Sequence, residues 1–312
     1  MMNDEPLVSV IINCFNGSKF IEKALHSALN QNYTNIEIII WDNQSTDNSK
    51  EIVNRYKDKR VKYYYAPKHT LLYEARNLAI SKSSGQFIAI LDCDDWWEEE
   101  KILKQVRKFQ SEDFAVVYSN MRLVFDKETR FGKRINNLVC KFFSRDYIRN
   151  HHEKKEGYIL DEILKDYIVG LPSIMINRKY FSGFDPRYHV IGDYDYIIKT
   201  ASKHKLGYIN EKLAFYRVHG FNELFKNRKL QIKELKMWLK DMKKNQIISK
   251  LNSFKELKYK VLYLEVMDYI AERKIKAAIK NILKVPMKLW KLKMKMIIIL
   301  LSPQIVVKIF RS

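Results

Sequence analysis

The amino-acid sequence predicts an α/β fold with a mostly parallel sheet, helices on both faces of that sheet, and a basic α-helical C-terminal region. Three observations predict this class. Strand-like and helix-like segments alternate at close spacing between Leu7 and Leu91, which is typical of a parallel sheet covered on both faces. Polar residues follow the strand segments, and after Phe221 lysine-rich helical periodicity replaces the strand pattern. We therefore expect two domains, residues 1–220 and 221–312.

The strands are predicted from short apolar runs that end at polar loop residues. The first four are Leu7–Ile12, Ile36–Trp41, Val61–Tyr65 and Gln86–Leu91, and two later candidates are Phe114–Tyr118 and Ser173–Ile176. Since the carboxyl ends of parallel strands meet at one edge of a sheet, Asn16, Asp42 and Asp94 are expected to gather along one rim.

Helices are predicted between these strands. Ser18 is a candidate cap for the first, whose apolar face has helical spacing, and Asp47 is expected to cap a second that continues through Tyr56. A third is predicted from Tyr73 to Ser81. The polar and charged stretch from about residue 122 to 165 is interpreted as a variable insertion that faces the acceptor.

Composition narrows the class of protein. A hydrophobic content of 46% with only 9 Gly and 6 Pro in 312 residues argues against disorder. Cys14, Cys93 and Cys140 match no disulfide framework or zinc spacing, which favours a reducing, cytosolic setting. No signal peptide is predicted, because the chain passes from Pro6 directly into a strand pattern.

An acidic cluster, Asp92-Cys93-Asp94-Asp95, ends the fourth predicted strand. Adjacent carboxylates repel one another unless a cation or protons compensate. A divalent metal that carries a diphosphate would supply this compensation, because Mg²⁺ and Mn²⁺ prefer oxygen ligands. The alternative is an ordinary helix start, where acidic residues complement the helix dipole.

Several motifs follow one another in a fixed order. They are Val8-Ser9-Val10-Ile11-Ile12-Asn13-Cys14-Phe15-Asn16, Trp41-Asp42-Asn43-Gln44-Ser45-Thr46-Asp47, Glu74-Ala75-Arg76-Asn77, Gly85 to Asp95, and Gly192-Asp193-Tyr194-Asp195. Over roughly residues 6–220 this arrangement resembles the family 2 glycosyltransferases of the GT-A fold. The resemblance implies a nucleotide-sugar donor, usually a UDP-sugar, and an inverting transfer that depends on Mn²⁺ or Mg²⁺.

The resemblance also implies roles for single residues. The nucleotide-binding residues would be Asn13, Phe15, Asn16, Asp42, Arg76 and Asp92, of which Asp42 accepts a hydrogen bond from the base or ribose and Asp92 serves as a ribose or outer-shell partner. Asp94 would be a direct metal ligand, His219 would approach the metal or diphosphate, and Asp193 would be the catalytic base.

Several of these assignments have a structural alternative. Phe15 could be a core anchor, Asp42 a turn residue, Arg76 a solvated helix residue, Asp193 a helix-capping residue and His219 a structural one. The sequence also departs from the family pattern. Asn13 replaces a usual Pro, Asn43-Gln44 replaces the common Asp-Gly, and Gly192 stands where a Glu is frequent. The first two departures bear on nucleotide preference.

The net charge of +21 is concentrated in the C-terminal region, where residues 221–312 contain twenty lysines and three arginines against seven acidic residues. Lysines from Lys284 to Lys295 alternate with apolar residues, and an uncharged stretch, Met296–Val307, follows. Because that stretch is shorter than the roughly 20 residues of a bilayer span, it predicts an interfacial anchor on an anionic membrane surface. The alternative is packing on the catalytic domain or an oligomer contact.

An anchored enzyme would work beside a lipid-linked glycan or lipopolysaccharide core, on the inner face of the cytoplasmic membrane. No nucleic-acid partner is predicted, because the positive charge coincides with apolar residues and no recognised nucleic-acid motif is present. A competing interpretation is a catalytically inactive protein that binds nucleotide-sugar or serves as a membrane scaffold. The presence of Asp92, Asp94 and Asp193 speaks against it.

Overall fold

The structure is a computed structural model, and it describes residues 5–125, 155–219 and 227–301. The described residues divide into two compact units, one that ends at Val218 and one that begins at His219. Residues 126–154 of the predicted insertion lie outside the described residues, as do Ser302–Val307 of the predicted anchor. Within the described ranges, every helix falls short of the length or apolar content that a bilayer crossing requires.

The first unit is built on one eight-stranded mixed sheet, which confirms the α/β class. The strands are β1 (Val8–Cys14), β2 (Ile36–Asp42), β3 (Val61–Tyr65), β4 (Phe87–Asp92), β5 (Trp96–Trp97), β6 (Val116–Phe125), β7 (Ile174–Asn177) and β8 (Leu206–Val218). Their order across the sheet is β3-β2-β1-β4-β7-β6-β8-β5. The pairs among β1 to β4 are parallel, as the sequence predicts, whereas β7 runs antiparallel to both of its neighbours.

Register brings the carboxyl ends of the central strands to one edge. Asn13 of β1 lies opposite both Trp41 of β2 and Asp92 of β4, and Cys14 lies opposite Asp42. Every residue of β1 and β2 is buried, because helices cover both faces of this part of the sheet. The polar residues that follow these strands are therefore held along a rim by a rigid core.

Two strands on the far side of the sheet have no counterpart in the sequence-based prediction. Most of β8 pairs with β6 in parallel, and β5 pairs with β8 in the antiparallel direction. Since β5 begins directly after the acidic cluster, the loop that carries this cluster is held at both ends by sheet pairing.

In the described part of the first unit, six helices surround the sheet. They are α1 (Ile21–Leu29), α2 (Ser49–Asn54), α3 (Leu72–Ser81), α4 (Lys101–Ser111), α5 (Leu160–Lys165) and α6 (Gly192–Ala201). The cap predicted at Ser18 is wrong: α1 begins at Ile21, and the Ser18 N–H instead donates to Asp47 at 2.9 Å. Asp47 also accepts from the Ser49 N–H at 3.0 Å, so it joins the starts of two helices.

The second unit is helical over its described residues. Its helices are α7 (Arg228–Met242), α8 (Asn252–Ala271), α9 (Ile275–Leu283) and α10 (Trp290–Leu301). A small core of buried residues from α8, α9 and α10 includes Val266, Ile270, Ala278, Ile282 and Met296. These helices confirm the predicted helical C-terminal region.

Candidate functional site

The site is centred on three carboxylates at the end of β4. Oxygen atoms of Asp92, Asp94 and Asp95 all lie within 4.8 Å of one another. Asp95 is buried, and burial together with the neighbouring Asp94 and Asp92 raises its pKa well above the usual value. Burial also raises the pKa of Asp92, although Arg76 opposes this shift. Asp95 belongs to the motif read from the sequence, but its participation was not predicted.

Two arginines compensate the negative charge of this cluster. The Arg76 Nη2 atom lies 2.5 Å from Asp92 Oδ1, and the guanidinium is almost fully buried. On the other side, the Arg217 backbone N–H donates to Asp95 Oδ1 at 2.8 Å, and its Nε donates to the Asp94 carbonyl oxygen at 2.9 Å. Arg217 was not assigned from the sequence. In the sequence, the feature that points to Arg217 is its position two residues before His219.

The carboxylates fit a divalent cation. The buried Asp95 Oδ2 atom has no hydrogen-bond partner among the described residues, and Asp92 and Asp94 are partly exposed. Three close oxygen donors suit Mg²⁺ or Mn²⁺, which also relieve the repulsion between carboxylates. Asp92 and Asp94 would hold the ion from the solvent side, with Asp95 behind them.

Asp193, the predicted base, lies in the first turn of α6 and is joined to this cluster through Tyr73. The Tyr73 hydroxyl donates to Asp193 Oδ1 at 2.7 Å. The Arg76 guanidinium carbon lies 4.9 Å from the centroid of the Tyr73 ring, and Arg76 in turn contacts Asp92. Tyr73 therefore links the base candidate to the acidic cluster, a role that the sequence did not reveal.

Gly192 makes this arrangement sterically possible. A Cβ atom at this position would lie 2.4 Å from the Tyr73 ring, which is inside van der Waals contact. The absence of a side chain thus allows α6 to approach α3 closely enough for the Tyr73–Asp193 hydrogen bond. The nearby Asp195 is buried and accepts from Lys199 Nζ at 2.8 Å, in agreement with a supporting role in α6.

Two of the nucleotide-binding candidates, Phe15 and Asn16, lie on the loop that follows β1, beside the loop that follows β2. Phe15 is 52% exposed, and its ring centroid lies 4.6 Å from that of His69, which leaves an aromatic surface open to solvent. Asn16 adopts a positive φ of 52°. Its side-chain oxygen accepts from the Thr46 N–H at 2.9 Å, so Asn16 holds the two loops together.

Asp42 is fully buried, and both of its carboxylate oxygens already accept hydrogen bonds. Oδ1 accepts from the Ser45 N–H at 2.6 Å, and Oδ2 accepts from the Tyr63 hydroxyl at 2.6 Å. These contacts favour the alternative of a turn residue. The nucleotide-binding role of Asp42 stays a prediction.

Asn13 shows the opposite pattern. It is only 7% exposed, yet neither its side-chain oxygen nor its side-chain nitrogen has a hydrogen-bond partner within the described residues. Since buried polar groups are nearly always paired, two orphaned atoms beside Asp92 support a ligand contact here. Arg76 is similar, because its Nε and Nη1 atoms are also unpaired in this part of the structure.

His219 is buried directly after the end of β8. Its assignment as a metal ligand stays a prediction.

The rim also brings two cysteines together that are far apart in the sequence. A Cβ atom at Gly17 would lie 2.9 Å from Cys14 Sγ and 3.0 Å from Cys93 Sγ. A hydrogen bond from Cys93 lowers the pKa of Cys14, against the effect of burial, and the same contact and burial raise the pKa of Cys93. The thiol pair joins the end of β1 to the acidic loop.

Comparison with known proteins agrees with this geometry. The model of the family named Glycosyl transferase family 2 matches residues 9–170, which is more than half of the chain. TuaG of Bacillus subtilis, whose name assigns it to teichuronic acid biosynthesis, is 30% identical over 181 residues, covering 57% of this chain and 65% of TuaG. WfaP of Escherichia coli, a UDP-Glc:α-D-GlcNAc-diphosphoundecaprenol β-1,3-glucosyltransferase, is 41% identical over 117 residues, covering 36% of this chain and 45% of WfaP. The matches thus span less than two thirds of the length of these relatives.

Among solved structures, residues 1–349 of S. aureus TarS in complex with UDP-GlcNAc give a TM-score of 0.62 at 15% identity, covering 96% of this chain and 88% of that one. The mannosyltransferase PcManGT from Pyrobaculum calidifontis, in complex with GDP-Man and Mn²⁺, gives a TM-score of 0.57 at 15% identity and covers 89% of this chain and 74% of that one. At this level of identity the likeness shows that the fold is shared.

Proposed function

This chain belongs to glycosyl transferase family 2, and on that premise we propose that it performs an inverting, metal-dependent transfer of a sugar from a nucleotide-sugar to a hydroxyl group. The carboxylate cluster of Asp92, Asp94 and Asp95 carries the proposal, because it offers oxygen ligands next to the buried Arg76. When bound, Mg²⁺ or Mn²⁺ would neutralise the negative charge that develops on the departing nucleoside diphosphate.

The protein's own groups supply the remaining chemistry. Asp193 would take the proton from the acceptor hydroxyl as that oxygen attacks the anomeric carbon of the sugar. The Tyr73 hydroxyl holds one oxygen of Asp193, which leaves the other oxygen for the acceptor. The unpaired nitrogen atoms of Arg76 and the unpaired amide of Asn13 would serve the nucleotide side of the donor.

The donor and acceptor are proposed from the relatives. WfaP is named for the transfer of glucose from UDP-Glc to α-D-GlcNAc-diphosphoundecaprenol, and TuaG is named for teichuronic acid biosynthesis. We extend these classes to this chain as a UDP-sugar donor and a lipid-linked or polysaccharide acceptor of a surface glycan. An enzyme of this kind would work as a peripheral protein on the cytoplasmic face of the membrane.

Calorimetric titration of the purified protein with UDP, in the presence and absence of Mn²⁺, tests the donor site. GDP and dTDP serve as controls for the base. We expect UDP binding that depends on Mn²⁺ in the native chain and is lost in Asp94→Ala. Unchanged Mn²⁺-dependent affinity in Asp94→Ala would contradict the metal assignment. Binding of UDP without any transfer to lipid-linked acceptors would favour the inactive scaffold.

A further inference from the structure

The second unit exposes an unusual amount of apolar surface in one segment. Of thirteen large hydrophobic residues that are exposed within the described ranges, eight lie between Ile275 and Leu301. Isolated exposed apolar residues are ordinary, but a concentration of them marks an interaction surface.

In α9 the exposed and buried residues are cleanly separated. Ile275, Ile279 and Leu283 recur every four residues and are exposed by 40%, 43% and 70%. Ala278 and Ile282, each one residue before an exposed one, are buried in the core that α9 shares with α8 and α10. A spacing of four residues places the three exposed side chains on one face of the helix.

The same arrangement continues in α10. Trp290, Met294, Ile298 and Leu301 are exposed, whereas Met296 is fully buried in the core. Within its described part, Met296–Leu301, the apolar run is therefore divided between the core and the surface. Met287, which is 70% exposed, lies between the two helices. We call the exposed apolar residues of α9, Met287 and α10 the apolar face.

Positive charge surrounds the apolar face. Exposed lysines at 276, 280, 284, 291 and 295 alternate with its apolar residues. After Glu272 the sequence contains no acidic residue. A combination of large apolar side chains and lysines complements an anionic lipid surface, where the apolar groups enter the boundary of the acyl chains and the lysines meet the headgroups. A protein partner would need an acidic rim around an apolar groove.

We infer that the apolar face docks the second unit on an anionic membrane, with α9 and α10 lying along the lipid surface. This inference rests on the proposed function, because an enzyme that uses lipid-linked acceptors meets them at the membrane surface. Docking needs neither donor nor metal. A failure to bind vesicles would therefore contradict membrane docking without contradicting the proposed donor site, which the UDP titration tests separately.

Vesicle sedimentation of the full chain tests the inference. The probes are vesicles of phosphatidylcholine mixed with phosphatidylglycerol and vesicles of phosphatidylcholine alone. We expect binding to the anionic vesicles and a loss of about tenfold or more in affinity in the double variant Leu283→Glu, Met287→Glu, since each side chain would lose its burial in lipid. Ile247→Glu is the matched control, because Ile247 is also exposed in the second unit but lies outside the apolar face.

A second measurement keeps the inference testable if the double variant fails to fold. Trp290 is 54% exposed, whereas Trp238 is fully buried in the same unit. We expect brominated lipids to quench part of the tryptophan fluorescence of the native chain and to lose this effect in Trp290→Phe. Absence of that quenching would overturn the inference.

Two other results would overturn it as well. Undiminished vesicle binding by the double variant would exclude the apolar face as the contact. The second result is a dimer of the native chain, detected by sedimentation velocity, that does not bind vesicles. If the double substitution abolished this dimer, the apolar face would be a contact between copies of the chain.

Discussion

The acidic rim of the first unit and the basic helices of the second both concentrate one sign of charge, but they compensate it in different ways. The rim carboxylates are partly or fully buried and contact defined groups, as Asp92 contacts Arg76 and Asp95 contacts the Arg217 N–H. The lysines of α9 and α10 are mostly exposed to solvent. The stability of the charged rim thus depends on a few specific contacts. The charge of the helices acts through the combined field of many similar exposed groups.

The largest effect is expected at the proposed base. Asp193→Asn keeps the size of the side chain but removes its ability to accept a proton from the acceptor. We expect turnover to fall by roughly 10²- to 10⁴-fold, which is the typical contribution of a general base. Mn²⁺-dependent affinity for UDP should stay unchanged in calorimetry. Loss of binding together with turnover would mean that Asp193 supports the donor site instead.

Stability measurements test the difference between the two charged regions. Arg76→Ala removes a buried partner of Asp92 and leaves that carboxylate beside two others, so we expect the free energy of unfolding to fall by about 3 kcal/mol or more. Lys280→Ala, on the exposed side of α9, should change it by less than about 0.5 kcal/mol. Urea unfolding measures both, and equal losses would contradict the distinction drawn between the regions.

Two glutamates with a lowered pKa, one in each unit, differ in the same way. Burial opposes ionisation of Glu37, but hydrogen bonds from Lys62, Ser84 and Ser9 prevail and lower its pKa to about 2. Its carboxylate therefore stabilises the fold above the unfolded value of 4.5, and this contribution is lost as the pH falls from there toward 2. From the shift, we expect Glu37→Gln to cost on the order of 3 kcal/mol at neutral pH and much less at low pH.

Glu272 is the matched control. Hydrogen bonds from Lys229 and Lys274 also lower its pKa to about 2, but this group lies at the surface of the second unit. Water and salt screen such pairs. Glu272→Gln should therefore have little effect in unfolding experiments, and none at high salt. A pH-dependent loss of unfolding free energy as large as that of Glu37→Gln would show that exposure does not explain the difference between the two glutamates.

The smallest effect is expected at Tyr73. Tyr73→Phe removes the hydroxyl that donates to Asp193 and keeps the ring that packs against Arg76 and Gly192. The Asp193 carboxylate loses the donor that orients it, so kcat should fall by roughly threefold to tenfold, while Mn²⁺-dependent affinity for UDP stays unchanged. Tyr73→Leu, which also removes the ring, is the comparison for a packing effect. An unchanged kcat in Tyr73→Phe beside a lowered kcat in Tyr73→Leu would indicate that Tyr73 only packs.

Much of the parallel part of the sheet could be predicted from the sequence, because β1, β2 and β4 consist mainly of apolar residues. Strand β8 could not, since most of its middle and last residues are partly or fully exposed and its pattern includes Asn210, Glu211 and Lys212. The antiparallel direction of β7 depends on pairing with β4 and β6, which are distant in sequence.

The candidate site shows the same limit. Motif order indicated Asp92, Asp94 and Asp193, but it could not show that Asp42 is occupied by Tyr63, which lies twenty-one residues away. Nor could it show that Tyr73 reaches Asp193 across 120 residues of chain. Contacts of this kind arise from the packing of whole helices and strands, and a pattern within one segment contains no information about them.

The close approach of Gly192 to Tyr73 has an evolutionary consequence. Because a Cβ at position 192 would meet the aromatic ring, the two positions cannot change independently. Homologous chains that carry a larger residue at the equivalent of Gly192 should carry a smaller one at the equivalent of Tyr73, and these chains would hold the carboxylate equivalent to Asp193 by another donor. The pair would then divide relatives into two lineages, each with its own way of supporting the same carboxylate.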